Sequence, residues 1–484
     1  MKIMNNQMKS NIFPNKMLLL IAALIIISGC ANYGSSIQLP VTDEPAVEPL
    51  IHKEQNENFD QHDFTEEPVT ASTDPNLARL SERLLAEGID CTTENELSTE
   101  NSLAVDANNP NIIYVGVEGK GVFKSADKGA NWRKIVKGIL VYPDRNNPDE
   151  PCFYDIKKIV IDQANSQHLF MAIGDMSSGY IDWPYAETGG VWESLNGGES
   201  WYQIMQGGLN TAGTGAFAVD PSNTKIIYYG VNSDYPTFAE APIKESLNKI
   251  GILYKTIDGG KTWEELPTGV LTGTQGTAVF INEKSPYNIL LLTQSHDHIQ
   301  LGGGAYREEP IEKQFGPMKS SDGGKTWIAL AENLPKDRRL LFDGDVSKHN
   351  FDHIIARSFL FGSGVPQGVE QKSFYSTNGG ETFQETGQYI HVGRYDIHDT
   401  TGNHLLGYSP WQGWVVESND AGATWMPLNA PEEVSSFKIK VTNFVWDHKD
   451  ANVVYMTGTK GYVWQSLDKG NTWKVILSAE KLPK

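Results

Sequence analysis

Seven octapeptides of one pattern recur along the chain, and this repetition restricts the possible folds more than any other feature. Each follows the pattern S/T-x-D/N-x-G-x-T/S/N-W/F, as in TIDGGKTW from Thr256. The copies begin at Ser125, Ser194, Thr256, Ser320, Ser376, Ser418 and Ser466. Successive copies start between 42 residues (Ser376 to Ser418) and 69 residues (Ser125 to Ser194) apart. Self-similarity on this scale is typical of repeat architectures.

Each octapeptide lies within a unit that reads as four short strands. In the first unit, SLAVD from Ser102, IIYVGV from Ile112 and GVFKS from Gly121 precede the octapeptide turn, and WRKIV from Trp132 follows it. The third and seventh units repeat the same order. Four antiparallel strands repeated radially make a propeller blade, and closing the ring removes exposed sheet edges. We therefore predict an all-β fold, a seven-bladed β-propeller of four-stranded antiparallel blades over residues 101–484.

Composition and charge agree with this fold class and narrow the possible partners. The chain has 46 glycines and 12 tryptophans, which suits tight turns and aromatic packing better than a helical bundle. Its formal net charge is −20. An acidic surface repels phosphate backbones, so we expect no nucleic-acid partner.

The first thirty residues read as a bacterial lipoprotein signal. Three lysines precede an apolar run from Met17 to Ile27 that is too short to span a bilayer. The run ends in Ile27-Ser28-Gly29-Cys30, which resembles a lipobox, so we predict lipidation of Cys30, export and a membrane anchor. The alternative is an ordinary cleaved signal with an incidental cysteine. No aspartate directly follows Cys30, which by resemblance to Gram-negative sorting patterns favours the outer membrane, on its periplasmic side or at the cell surface.

Two further segments precede the repeats. Residues 31–75 are predicted to be an acidic disordered tether, because the stretch from Asp43 to Glu67 is rich in acids and prolines. Residues 76–100 are predicted to be a short helical lead-in, since apolar residues recur at helical spacing from Leu77. The remaining cysteines, Cys91 and Cys152, either form a disulfide or stay as two free thiols.

The octapeptides resemble the Asp-box, or BNR, repeats of sialidases, sortilin, propeller glycosidases acting on xyloglucan, and a photosystem II assembly factor. The resemblance covers nearly all of residues 100–480. It implies the propeller fold but no single function, because unrelated activities share these repeats.

The acidic positions of the octapeptides are predicted to be scaffold. These residues are Asp127, Asn196, Asp258, Asp322, Asn378, Asp420 and Asp468. Seven equivalent copies cannot all be one active site, and asparagine keeps the hydrogen bonding but loses acid–base capacity. The side chains can instead bond backbone amides within the turn, and the terminal Trp or Phe is expected to pack between neighbouring blades.

In a propeller of this topology the octapeptide turns share the bottom face with the turns after the first strand of each blade. A binding site is expected on the opposite, top face, where the loops differ in length. Short top loops are expected near Glu118, Trp411 and Lys460, and long ones on blades 2–5, over 175–189, 232–249, 296–315 and 361–372. Aromatics beside carboxylates are typical of sugar-binding surfaces, although they can also pack their own loops. The candidate ligand-binding residues are Trp183, Tyr185, Asp234, Tyr235, His296, His298, His391, Arg394 and Trp411.

Catalytic readings focus on three acids. The segment YVGVEGKGVF from Tyr114 resembles the first repeat of the xyloglucan-degrading propellers, whose catalytic base is an aspartate where this chain has Glu118. Those enzymes take their second carboxylate from a second propeller, so a partner such as Asp175 or Asp297 would have to substitute. A sialidase would need three converging arginines, and a lyase could use His296, His298, His391, Arg394 and Tyr395. His296-Asp297-His298 alone is weak evidence for a metal.

The sequence thus leaves three function classes. The leading hypothesis is an exported lipoprotein that binds an extracellular ligand, most plausibly a carbohydrate, over blades 2–5. The second is a glycoside hydrolase, and the third is a scaffold that grips another polypeptide. No cofactor or metal is expected, and the chain is expected to be monomeric.

Overall fold

In the computed structural model, the described residues are 102–139, 141–143, 151–153, 155–174, 189–206, 213–231, 252–267, 274–295, 299–301, 305–307, 317–330, 334, 341–358 and 371–483. The predicted signal peptide, the lipidated Cys30, the tether, the helical lead-in and Cys91 lie outside these residues, and these assignments stay predictions.

Seven four-stranded antiparallel sheets form the molecule, as the repeats predict. In each blade the strands follow sequence order from the innermost, strand A, to the outermost, strand D. The bounds in blades 1 to 3 are Leu103–Val105, Ile113–Val117, Gly121–Ser125 and Arg133–Lys134; Asp155–Ile161, Leu169–Gly174, Gly190–Ser194 and Tyr202–Gln206; and Gly213–Val219, Ile227–Val231, Ile252–Thr256 and Glu264–Glu265. Those in blades 4 and 5 are Thr274–Ile281, Ile289–Ser295, Met318–Ser320 and Ile328–Ala329; and Leu341–Val346, Ile354–Ser358, Lys372–Ser376 and Gln384–Glu385. Those in blades 6 and 7 are Val392–Tyr395, Leu405–Ser409, Trp414–Ser418 and Met426–Leu428; and Val441–Trp446, Val454–Gly458, Tyr462–Ser466 and Lys474–Leu477.

A few short elements lie in the connections. Tyr142–Pro143 pairs with Pro151–Cys152, and Ile299–Leu301 pairs with Ala305–Arg307. Helices within the described part are limited to one α-helical turn, Glu432–Ser435, and one 3-10 turn, Ala479–Lys481. None of the helices in the described ranges has the length and apolar character needed to cross a membrane.

Apolar seams between adjacent blades form the core. Strand B is buried along its whole length in blades 1, 2, 6 and 7, because each sheet packs against a neighbour on both faces. Such strands read as continuous apolar runs, as in Ile113–Val117. Dense packing on both faces makes each blade depend on the two beside it.

The ring closes by packing of blade 7 against blade 1, and each blade keeps its own four consecutive strands. A single apolar cluster joins Leu103 and Phe123 of blade 1 to Tyr455 and Leu477 of blade 7. The indole Nε1 of Trp132 donates to the carbonyl of Ile476 at 3.2 Å. Lys128 of blade 1 also pairs with Asp447 of blade 7 at 3.6 Å, and Lys449 of blade 7 donates to the Asn108 carbonyl of blade 1. Closure therefore depends on side-chain packing and side-chain polar contacts rather than on a shared sheet.

The octapeptide turns and the turns after strand A share the bottom face. In every blade a backbone amide of the octapeptide donates to a carbonyl of the A–B turn, as Gly197 does to Gln167 at 2.8 Å and Gly379 to Asp352 at 2.9 Å. The described B–C turns, those of blades 1, 6 and 7, and the described connections from blade 5 to 6 and from blade 6 to 7 therefore lie on the opposite, top face.

Candidate functional site

The octapeptide turns are held by a repeated set of hydrogen bonds. In blade 1, Ser125 Oγ accepts the Gly129 amide at 2.8 Å, and Asp127 Oδ1 accepts the Asn131 amide at 2.8 Å. Gly129 has a φ of +86°, which glycine adopts without steric cost. Blade 2 makes the same bonds with Ser194 and an asparagine, Asn196. These side chains are therefore hydrogen-bonded to backbone amides of their own turns.

The carboxylates of these turns also have the wrong acidity for proton transfer near neutral pH. The hydroxyl of Thr262 donates to Asp258 at 2.6 Å, and this bond, with the Thr262 amide and the Thr256 hydroxyl, lowers the pKa of Asp258 to about 2. Asp322 has the same surroundings through Thr326, with a pKa of about 2. Groups that stay ionised cannot act as general acids at pH 7.

The innermost strands of the blades surround a central channel. Several polar side chains that the repeat pattern does not explain line this channel. Four innermost strands contain a β-bulge near their top end, directly before Lys158, Ala278, Asp343 and Asn443. A bulge adds one residue to a strand and changes the direction of the next side chain. Lys158, Asp343 and Asn443 line a cavity of about 260 Å³ in the channel.

Asp343 lies between two arginines at the top of this channel. Its Oδ2 is 3.5 Å from Nε of Arg357, and its Oδ1 is 3.5 Å from Nη2 of Arg394. Burial alone would raise the pKa of Asp343, but the two guanidinium groups outweigh burial and lower it. The Gly344 amide also donates to Oδ1 at 2.8 Å. Asp343 is thus ionised and fixed in place.

Arg394 links blades 5, 6 and 7. Its Nε donates to Asn443 Oδ1 at 2.8 Å, and its Nη1 donates to the carbonyls of Gly344 at 3.1 Å and Gly393 at 3.0 Å. These bonds use much of the donor capacity of the guanidinium. Arg394 therefore connects the three blades at the channel mouth, and it has few donors left for a ligand.

Arg357 also donates toward the top rim. Its Nη1 lies 2.8 Å from Nδ1 of His391 and 3.4 Å from the hydroxyl of Tyr389. Because a guanidinium only donates, Nδ1 of His391 accepts and the ring proton lies on Nε2. Burial and the nearby Arg357 charge lower the pKa of His391 to about 3. His391 is therefore a neutral imidazole with its Nε2–H available as a donor.

The rim above His391 is aromatic. Trp411 lies in the B–C turn of blade 6, is 63% exposed and has its ring centroid 6.0 Å from that of Tyr389. Trp414, 42% exposed, is the first residue of the following strand C, and Phe437, 59% exposed, lies in the connection from blade 6 to blade 7. We call Trp411, Tyr389, His391, Arg357 and Asp343 the channel-mouth cluster.

Other predicted site residues are not part of this cluster. Glu118 lies half-buried in the top turn of blade 1, where the neighbouring Gly119 carbonyl accepts the Phe153 amide at 3.4 Å. The remaining candidates are outside the described residues, so they stay predictions; they are Asp175, Trp183, Tyr185, Asp234, Tyr235, His296, Asp297 and His298. Tyr395, the candidate lyase base, is buried with its hydroxyl 3.4 Å from the Ala421 carbonyl, which does not suit that role.

The sequence pattern indicated His391, Arg394 and Trp411 as site residues but did not indicate Asp343 and Tyr389. A signal for Asp343 was present in LFDGDV, where Asp343 and Asp345 occupy alternate positions of an innermost strand that is mostly apolar in other blades. No side-chain group in the described part of the chain has the three His, Cys, Asp or Glu residues that could hold a metal ion.

Comparison with known proteins shows the fold. No protein-family model matches the chain, and no curated protein matches it. The crystal structure of the GH74 xyloglucanase from Xanthomonas campestris is similar, with a TM-score of 0.53 and 14% identity over 77% of this chain and 52% of that one. An ancestral GH74 enzyme has a TM-score of 0.53 and 14% identity over 80% of this chain and 47% of that one. The chain thus spans about half the length of these two structures.

A smaller protein is also similar, though less closely. YCF48 from Cyanidioschyzon merolae has a TM-score of 0.45 and 13% identity over 78% of this chain and 97% of that one. We draw no conclusion about function from this likeness.

Proposed function

We propose that the chain is an exported, lipid-anchored propeller that binds a carbohydrate at the channel-mouth cluster. The observation that carries the proposal is the exposed ring of Trp411, whose centroid lies 6.0 Å from that of Tyr389, which in turn lies 6.3 Å from the ring of His391. An aromatic face stacks on the apolar face of a sugar ring, and fixed donors and acceptors beside it bond the hydroxyls.

The polar groups behind the rim support binding because they are fixed before a ligand arrives. Tyr389 and His391 are both held by Arg357, which is itself held by Asp343. A preorganised site spends less free energy on ordering its own side chains when it binds.

The direct test measures binding of the purified protein to a panel of soluble polysaccharides by affinity electrophoresis. Trp411→Ala should weaken binding to the best polysaccharide about tenfold or more, as for an aromatic at the centre of an interface. The matched control is Tyr287→Ala, which removes a 68% exposed aromatic from a bottom-face turn and should leave binding unchanged. Equal affinities for wild type and Trp411→Ala would refute the site.

Glycoside hydrolysis is the second candidate, supported by the fold likeness to the GH74 xyloglucanase. A glycosidase needs two carboxyl groups across the scissile bond. Release of reducing sugar that is lost in both Glu118→Gln and Asp175→Asn would favour this alternative. Binding without release would favour the carbohydrate-binding proposal. If the ligand is a polypeptide, the third alternative, the protein should bind no polysaccharide, and Trp411 should contact the polypeptide instead.

The lipid anchor is tested separately. Cys30→Ser should move the protein from the membrane fraction to the soluble fraction and abolish incorporation of labelled palmitate. Retention of Cys30→Ser in the membrane fraction would contradict the proposed anchor.

A further inference from the structure

Below the channel-mouth cluster, two opposite charges face one cavity without touching. Lys158 is on strand A of blade 2 and Asp345 is on strand A of blade 5, and both line the cavity of about 260 Å³. Among the described residues no ion pair within 4.0 Å joins them. Each is nevertheless close enough to shift the pKa of the other.

The protein satisfies each of these groups only in part. Lys158 Nζ donates one hydrogen bond, to the Phe217 carbonyl at 2.9 Å, and an ammonium group has three donors. The Asp345 carboxylate accepts the Tyr395 amide at 2.8 Å through Oδ2 and also accepts the Val346 amide, whereas a carboxylate can accept about four bonds. Arg394, the cation that most lowers the pKa of Asp345, is bonded to Asn443 and two carbonyls. The unused donors and acceptors remain next to the cavity.

The pKa values of Asp345 and Lys158 agree with charges that the protein compensates only in part. Burial raises the pKa of Asp345 to about 6, against the lowering by Arg394 and Lys158. Burial lowers the pKa of Lys158 to about 8, against the raising by Asp345. A fully paired charge would show a smaller pKa shift, because the partner stabilises the charged form against burial. Both groups are charged between these two values, so near pH 7 the cavity presents an ammonium on one side and a carboxylate on the other.

The cavity has the size and walls for a small molecule. Its volume is slightly below the range of about 300–1,000 Å³ that is usual for ligand pockets. Leu103, Ala278, Phe280 and Val445 are among its lining residues. A second cavity of about 220 Å³, toward the bottom face, shares Lys158, Val279 and Phe280 with it.

We propose that the central channel binds a small zwitterion of the α-amino acid class, its carboxylate on Lys158 and its ammonium group on Asp345. One such molecule supplies both missing partners at once, and the apolar lining accommodates a short aliphatic side chain. A molecule with only one of the two charges leaves the other protein charge uncompensated, which costs free energy. The cavity shares the lining residue Asp343 with the channel-mouth cluster, but the two proposed contacts, Lys158 and Asp345, lie outside that cluster.

The test uses three matched probes and calorimetric titration of the purified full chain at pH 7. L-Valine carries both charges, isovalerate lacks the ammonium group, and isobutylamine lacks the carboxylate. Valine should bind at least tenfold more tightly than either half-molecule. Lys158→Met should abolish the binding of isovalerate but keep that of isobutylamine, and Asp345→Asn should do the reverse.

This crossed pattern separates loss of a contact from loss of the fold, because a misfolded variant would bind neither half-molecule. Lys474→Met, which removes an exposed lysine from strand D of blade 7, is the control and should bind valine as wild type does. The proposal is overturned if valine binds no better than isovalerate and isobutylamine, if none of the three binds at about 10 mM (weaker than about −3 kcal/mol), or if both channel variants behave as wild type.

Discussion

Nη1 of Arg357, at the end of strand B of blade 5, lies 2.8 Å from Nδ1 of His391, just before strand A of blade 6. This bond fixes the neutral tautomer of His391 and directs its Nε2–H away from the guanidinium. It also joins two blades at the mouth of the central channel. The rim residue Tyr389 packs next to His391 and Trp411, with ring centroids 6.3 Å and 6.0 Å apart, so the bond fixes the polar part of the proposed carbohydrate site.

The low pKa of His391 predicts a specific sensitivity to acid. Above its ordinary pKa of 6.5 the ring is neutral in both folded and unfolded chains. As the pH falls from 6.5 toward about 3, the unfolded chain takes up a proton that the folded one refuses, so stability is lost. His391→Gln keeps an acceptor for Arg357 and should reduce this loss. Urea unfolding curves between pH 4 and pH 7 measure it (about 1.4 kcal/mol corresponds to one pKa unit). Equal pH dependence in variant and wild type would contradict the assignment.

His168 predicts the opposite pH dependence on the bottom face of blade 2. Burial lowers the pKa of His168, but bonds to Glu193 at 2.5 Å and Asp162 at 3.1 Å outweigh burial and raise it. The stabilisation is complete below the ordinary pKa of 6.5 and disappears as the pH rises through the raised value. His168→Gln should therefore lower the melting temperature more at pH 5.5 than at pH 8.5. A deficit that is the same at both pH values would show that the ion pairs contribute nothing.

The stability of each octapeptide turn should depend on a hydroxyl group at its first position, whether serine or threonine supplies it. Ser320 Oγ accepts the Gly324 amide at 2.8 Å, and the side chain is buried. Ser320→Ala leaves that amide without its acceptor and should cost about 1–2 kcal/mol in the free energy of unfolding. Ser320→Thr should cost far less, because Thr256 makes the same bond in blade 3 at 2.9 Å. Denaturant titration distinguishes the two, and an equal loss in both would point to packing instead.

The closing seam between blades 1 and 7 should be sensitive to Trp132. Its ring is half-buried, and its Nε1 donates to Ile476 of blade 7. Trp132→Ala should cost about 3 kcal/mol, toward the low end for removal of a large core side chain. Faster hydrogen exchange should appear in blades 1 and 7 first. Trp327→Ala, within the blade 3–4 seam, is the matched control; exchange that rises in the same blades for both variants would contradict a local effect.

The fold was predictable from sequence because each blade repeats the same local instructions. FVWD ending at Asp447, the apolar run from Val453 and YVWQS from Tyr462 all form strands at the expected places. The channel-mouth cluster was harder to predict, because it joins residues from separate blades. Asp343 is aimed by a β-bulge, and a bulge depends on the pairing partner as well as on local sequence. Arg357 ends an ordinary strand B and becomes part of a site only when blade 6 places His391 against it.

Hydrogen exchange of the protein, measured with and without its best-bound polysaccharide, tests the proposed carbohydrate site. Exchange should slow in residues 389–395 and 409–414 on binding and stay unchanged in the bottom turns at 320–327. Protection of the bottom turns, or no protection around Trp411 and His391, would contradict a carbohydrate site at the channel mouth.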